Sequence, residues 1–118
     1  EQWFVELVTS AVRVRNILAK SGDASAAVDE SLFAKEAESR LYAEIVRINP
    51  LVEEALAGQD WKALAGYLSE LSPFVTSFFE DVLVMDPDER VKCNRIHLLG
   101  LCNALFLKVG DLGILKGV

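Results

Sequence analysis

Apolar residues recur every three or four positions along most of this 118-residue chain, the spacing of helices that each bury one stripe. From about Gln2 to Lys20 the stripe is Phe4, Leu7, Val8, Ala11, Val14 and Leu18, and Ser21-Gly22-Asp23 closes the helix, a glycine just past a lysine being a usual stop. Residues 22–34 are small and polar and predict a loop, the least ordered part of the domain. A second helix is predicted from about Lys35 to Ile48, where Asn49-Pro50 either kinks it or starts a new segment through Leu56. Gly58-Gln59-Asp60 predicts a turn, with Asp60 capping a helix from Trp61 to Leu71. Ser72-Pro73 marks a further start, for a helix to about Leu83, and Asp86-Pro87 another, for a long helix from about Pro87 to Val109. With no alternating strand pair and no internal repeat, residues 1–118 are expected to form one all-α, short-looped helical bundle.

Stepping about 100° per residue from Val91 places Leu98, Cys102, Leu105 and Val109 within about 40° of one line, the core seam of the last helix. Arg90, Lys92 and His97 fall outside that seam. Arg95 falls close to it and is expected to be partly buried. It is either paired with a carboxylate such as Glu80 or Asp81, since a buried guanidinium needs a partner, or it reaches the rim and holds phosphate or a base edge. Asn94, at the edge of the seam, is either a polar group satisfied by backbone or a base-reading amide. On the first helix Arg13, Asn16 and Lys20 share the face opposite the apolar stripe, whereas Arg15 points near the stripe and is expected to pack its stem there. Phe74, Phe78, Phe79, Trp3 and Trp61 are mostly core by spacing, and an exposed one is a stacking candidate.

Charge sharpens this picture. The net charge is −6, which argues against a nucleic-acid binder blind to sequence, but the distribution is uneven. Residues 23–60 hold nine acids and three bases, and residues 61–89 six acids and one base. Residues 11–22 hold Arg13, Arg15 and Lys20 with no acid, and residues 90–110 hold Arg90, Lys92, Arg95 and Lys108 with no acid. These two islands are where a polyanion is expected to land, provided they converge in space. Hydrophobic residues make up 52% and charged residues 25%, too apolar for disorder. No apolar run is long enough to span a membrane and the N-terminus lacks the pattern of a signal peptide, so a soluble, cytoplasmic domain is expected. The chain begins at Glu1 rather than Met, as a piece of a larger protein does.

Catalytic constellations are missing from the sequence: there is no Gly-rich phosphate loop, nucleophile elbow or Cys-His-acid set. Cys93 and His97 are four apart on one helical face, half of a zinc site at most, with no further soft ligands nearby in sequence. No metal and no cofactor is expected in this chain. Cys93 and Cys102 are nine apart, on opposite faces of one helix, and are expected to be free thiols.

Four segments occur in an order that belongs to a known family: Arg13-Val14-Arg15-Asn16-Ile17-Leu18, Trp61 to Leu71, Phe78-Phe79-Glu80-Asp81-Val82-Leu83-Val84-Met85, and Arg90-Val91-Lys92-Cys93-Asn94-Arg95-Ile96. Together they resemble the C-terminal domain of bacterial glycyl-tRNA synthetase beta subunits, a member of the all-helical DALR anticodon-binding superfamily, over roughly Ala11 to Leu115. The literal Asp-Ala-Leu-Arg string is absent, and Lys62-Ala63-Leu64-Ala65 is its nearest match. The resemblance implies a module that holds the anticodon region of glycine tRNA in an assembly of two alpha and two beta subunits. ATP and magnesium are implied for the full enzyme, whose adenylate-forming site is assigned to the alpha subunit. The expected tRNA-binding residues are Arg13, Asn16 and Lys20 on one helix and Arg90, Lys92, Asn94 and Arg95 on another. The alternative is a helical protein-interaction or scaffolding module that docks onto the rest of the synthetase.

Overall fold

The computed structural model describes residues 2–21 and 27–111, with side chains over 5–20 and 27–108. Four helices, α1 (Gln2–Ser21), α2 (Glu36–Ala57), α3 (Trp61–Asp81) and α4 (Glu89–Asp111), and one short 3-10 turn (Glu30–Leu32) make up its regular structure. The all-α bundle is as expected. Among the described residues, no helix is long and apolar enough to cross a membrane.

Two predicted breaks are absent. α2 runs unbroken through Pro50 and α3 through Pro73. A proline inside a helix removes one backbone hydrogen bond and costs about 3 kcal/mol, so something must offset it. In α2 the buried positions Ala37, Leu41, Ile45, Ile48, Val52 and Ala55 keep helical phase across the proline, and in α3 Leu64, Leu68, Leu71, Val75 and Phe78 do the same. Each fully buried side chain of this size contributes about 1.5–3 kcal/mol, and breaking the helix would throw those beyond the proline out of register. Both prolines are exposed, where the carbonyl they leave unpaired can meet water. Ser72, expected to cap a new helix, is instead buried within α3 with no partner for its hydroxyl.

The turn between α2 and α3 follows the sequence closely. The Gly58 amide donates to the Glu54 carbonyl, and the Asp60 side chain accepts from the Ala63 amide at 3.1 Å. The left-handed backbone falls on Gln59 (φ 55°) rather than on the adjacent glycine. A three-residue link lays α3 back antiparallel on α2, the most extensive helix pair in the molecule. α1 packs on α3 and α4 and contributes Leu7 and Val14 to the core.

α4 begins two residues later than predicted because two aspartates divide the work. Asp86 accepts from the Asp88 amide at 2.8 Å, a local turn, and Asp88 then caps the helix by accepting from the Arg90 amide at 3.0 Å. Before it, the chain is extended at Val82, and burial alternates: Val82 and Val84 enter the core while Leu83 and Met85 stand out, 63% and 42% exposed. On α4, Leu98, Cys102 and Leu105 of the expected seam are buried, joined by Ile96, Leu99 and Phe106. Val109 of that seam and Phe4 of the first stripe have side chains outside the described residues.

Candidate nucleic-acid interface

The first basic island forms a groove wall. Arg13, Asn16 and Lys20, on successive turns of α1, line a groove of about 400 Å³ with Ile17 of the same helix, Phe79 of α3 and Met85 of the α3–α4 connection. The Arg13 guanidinium lies over the Phe79 ring, 4.4 Å from its centroid, in the geometry that draws a cation to an aromatic face. Phe79 is held from behind by an edge-on contact with the buried Phe78, ring centroids 5.9 Å apart. The three polar residues thus do share an exposed face, as their spacing predicts, and α3 borders it. Arg15 is exposed, not tucked along the apolar stripe. Among the described residues, Arg13, Arg15 and Lys20 make no ion pair within 4 Å.

The second island divides. Arg90 is exposed and lies near Asp29, whose carboxylate is held below its ordinary range by hydrogen bonds from the Ser31 hydroxyl and amide, with a smaller share from the Arg90 charge. Lys92 is half-buried and meets Glu89 at 3.3 Å, an exposed pair one helical turn apart of the kind that contributes little and yields easily to another anion. Lys108 is taken up by Glu53.

Asn94 and Arg95 face inward. The Asn94 amide grips the backbone of Asp29, accepting from its amide at 2.7 Å and donating to its carbonyl at 2.9 Å. This fixes part of the 22–34 segment that the sequence marks as least ordered; residues 22–26 lie outside the described residues. Arg95 is 3% exposed, and its partners are Glu38 of α2 and Asp86, not the expected Glu80 or Asp81. Its Nε and Nη2 donate to Glu38 Oε1 at 3.0 and 2.7 Å, and Nη1 donates to the Leu83 carbonyl at 2.6 Å and to Asp86 at 3.3 Å. With its fork spent inside, Arg95 reaches no bound polyanion in this conformation; it holds the α3–α4 connection on both sides of Met85. Glu38, fully buried on α2, is the residue that sequence reasoning missed, and its only signal was an acid at a position one turn before Leu41 in an apolar stripe.

Of the second island, Arg90 is the residue that the chain ties nearest to the α1 groove. Met85 sits in the α1 groove, and Arg90 follows it by five residues, a span of at most about 18 Å. Trp61, expected in the core, is 41% exposed at the start of α3, while the side chain of Trp3 lies outside the described residues.

Comparison with known proteins fits this geometry. The model of the DALR anticodon binding domain matches residues 7–112. A glycine–tRNA ligase beta subunit from Alteromonas mediterranea is 41% identical over 112 residues, 92% of this chain. Subunits of the same name from Acinetobacter baumannii and Shewanella halifaxensis are each 37% identical over 111 residues, 94% and 93% of the chain. In all three cases the chain spans 16% of the relative's length. Over nearly its whole length, then, this chain belongs to the DALR anticodon binding domain family.

Proposed function

We propose that this domain holds the anticodon arm of a tRNA, and that it does so for glycine tRNA as part of a glycine–tRNA ligase beta subunit in the cytoplasm. The observation that carries the reading is the set of cations on α1, Arg13, Arg15 and Lys20, exposed and without ion pairs among the described residues of a protein of net charge −6. Exposed cations on an acidic body are suited to meet phosphate, and the acidic remainder repels nucleic acid elsewhere. Lys20, Arg90 and Lys92 supply phosphate contacts that set the register of the arm. Ligation of glycine, with its ATP and magnesium, belongs to other parts of an assembly of two alpha and two beta subunits, and this domain contributes binding alone.

Titration of the chain with an RNA hairpin of the glycine tRNA anticodon arm at low salt tests this reading. Lys20→Ala and Lys92→Ala are each expected to weaken binding several-fold, with the logarithmic salt slope falling by about 0.7–0.9 per lost phosphate contact. Equal affinity for both variants and the parent would remove the assignment.

A second role, docking onto the rest of the longer polypeptide, is favoured by one observation. Leu101 and Leu107 of α4 are 37% and 46% exposed, an apolar outer side on a helix that is already apolar inside. Altering anticodon bases is expected to change the affinity of an RNA reader and leave a docking surface indifferent.

A further inference from the structure

We infer that the groove between α1 and the α3–α4 connection receives a single unstacked nucleotide of the bound RNA, with Arg13 as its stacking surface. The assignment rests on the tRNA-binding reading and deepens it. The Arg13 guanidinium carbon lies over the Phe79 ring, 4.4 Å from its centroid, and a planar cation held on a ring can offer its free side to a base, as arginine planes do in single-stranded RNA recognition. Ile17, Phe79 and Met85 supply apolar wall, Asn16 an amide that can both donate and accept, and Lys20 a flexible cation for a phosphate. Among the described residues no carboxylate lines the groove, although the protein carries 18 acids, so the site favours an anionic ligand with a flat apolar part. Its volume of about 400 Å³ suits one small ligand and not a duplex.

The wall is set before any ligand arrives. Arg95, anchored on Glu38, holds the Leu83 carbonyl and the Asp86 carboxylate, the residues on either side of Val84-Met85. Met85 therefore projects from a braced turn, and little ordering remains to be done on binding. Arg95, predicted as an RNA contact, acts instead as a positioning residue for this groove.

The test uses the same RNA hairpin with each loop base in turn removed to leave an abasic ribose, titrated against the parent chain, Arg13→Lys and Asn16→Ala. Both side chains are exposed, and thermal melting confirms that each variant folds. In the parent, one loop position is expected to matter most, its abasic form binding roughly 5- to 150-fold more weakly. Arg13→Lys keeps the charge and loses the plane, so that same position should then cost little, and Asn16→Ala should relax preference for the base placed there. If the parent binds the hairpin and no single loop position stands out, or Arg13→Lys leaves the penalty intact, the pocket is refuted and the broader tRNA reading survives. If the hairpin does not bind at all, both fall.

Discussion

Arg95 donates twice to one carboxylate oxygen of Glu38, across 57 residues of sequence, with side chains 4% and 0% exposed. The pair ties α4 to α2 in the interior and, through the remaining guanidinium nitrogen, pins the Leu83 carbonyl. A buried ion pair is a poor source of net stability, because desolvating both charges offsets most of their attraction, but removing one partner strands the other. Arg95→Met is therefore expected to destabilise the domain by about 3–5 kcal/mol, whereas Glu38→Leu combined with Arg95→Met should recover much of that loss. Urea unfolding of the two single variants and the double variant checks this. A loss in the double variant equal to the sum of the two single losses would mean that the pair is not coupled. The double variant, stable but lacking the brace, is expected to bind RNA less well than its stability implies.

Asn94 makes a two-bond clamp on the backbone of Asp29, joining α4 to the segment just before the 3-10 turn. Asn94→Ala loses both bonds to a part-buried stretch of backbone, at about 0.5–1.5 kcal/mol each. Asn94→Asp should be worse, because it buries a negative charge and turns a carboxylate oxygen on the Asp29 carbonyl where the amide donated. Amide hydrogen exchange should localise the damage, with protection lost first at Ser31, Leu32 and Phe33.

The two thiols are predicted to differ sharply in reactivity. Burial pushes the Cys102 thiol up, well out of the ordinary range, whereas Cys93 is half-buried near Glu89. An alkylating reagent at neutral pH should label one thiol per native chain, Cys93 by mass spectrometry, and reach Cys102 only on unfolding. A raised folded value means that the thiol favours the folded state while it stays protonated. This contribution is complete below the unfolded thiol value of about 8.5 and is lost as pH climbs above it. Removing the thiol by Cys102→Ala should flatten the fall in stability above that pH, although the cavity lowers stability overall.

Much of the fold was legible in the sequence because helical amphipathicity is a local signal. The stripe of α1, the seam of α4, the Asp60 cap and the acid-free stretches at 11–22 and 90–110 can all be read from residues within a few turns of each other. The proline breaks were misread for a physical reason. Proline and Ser-Pro are local signs of interruption, whereas helix continuity through Pro50 and Pro73 depends on a stripe that pays off only against the other helices.

The candidate site shows the same division. Its cations on α1 share a face by their spacing alone, and that much was determined by the order of residues in one helix. What spacing could not supply was the neighbour: Phe79 beneath Arg13, Met85 opposite, and Glu38 drawing Arg95 inward from 57 residues away. The sequence by itself settled an all-α bundle and the placement of its charge along the chain, since helical period and composition are properties of the chain as written. Only the tertiary structure decided which basic residues are drawn into ion pairs, because a guanidinium is claimed by whichever carboxylate the packing brings to it.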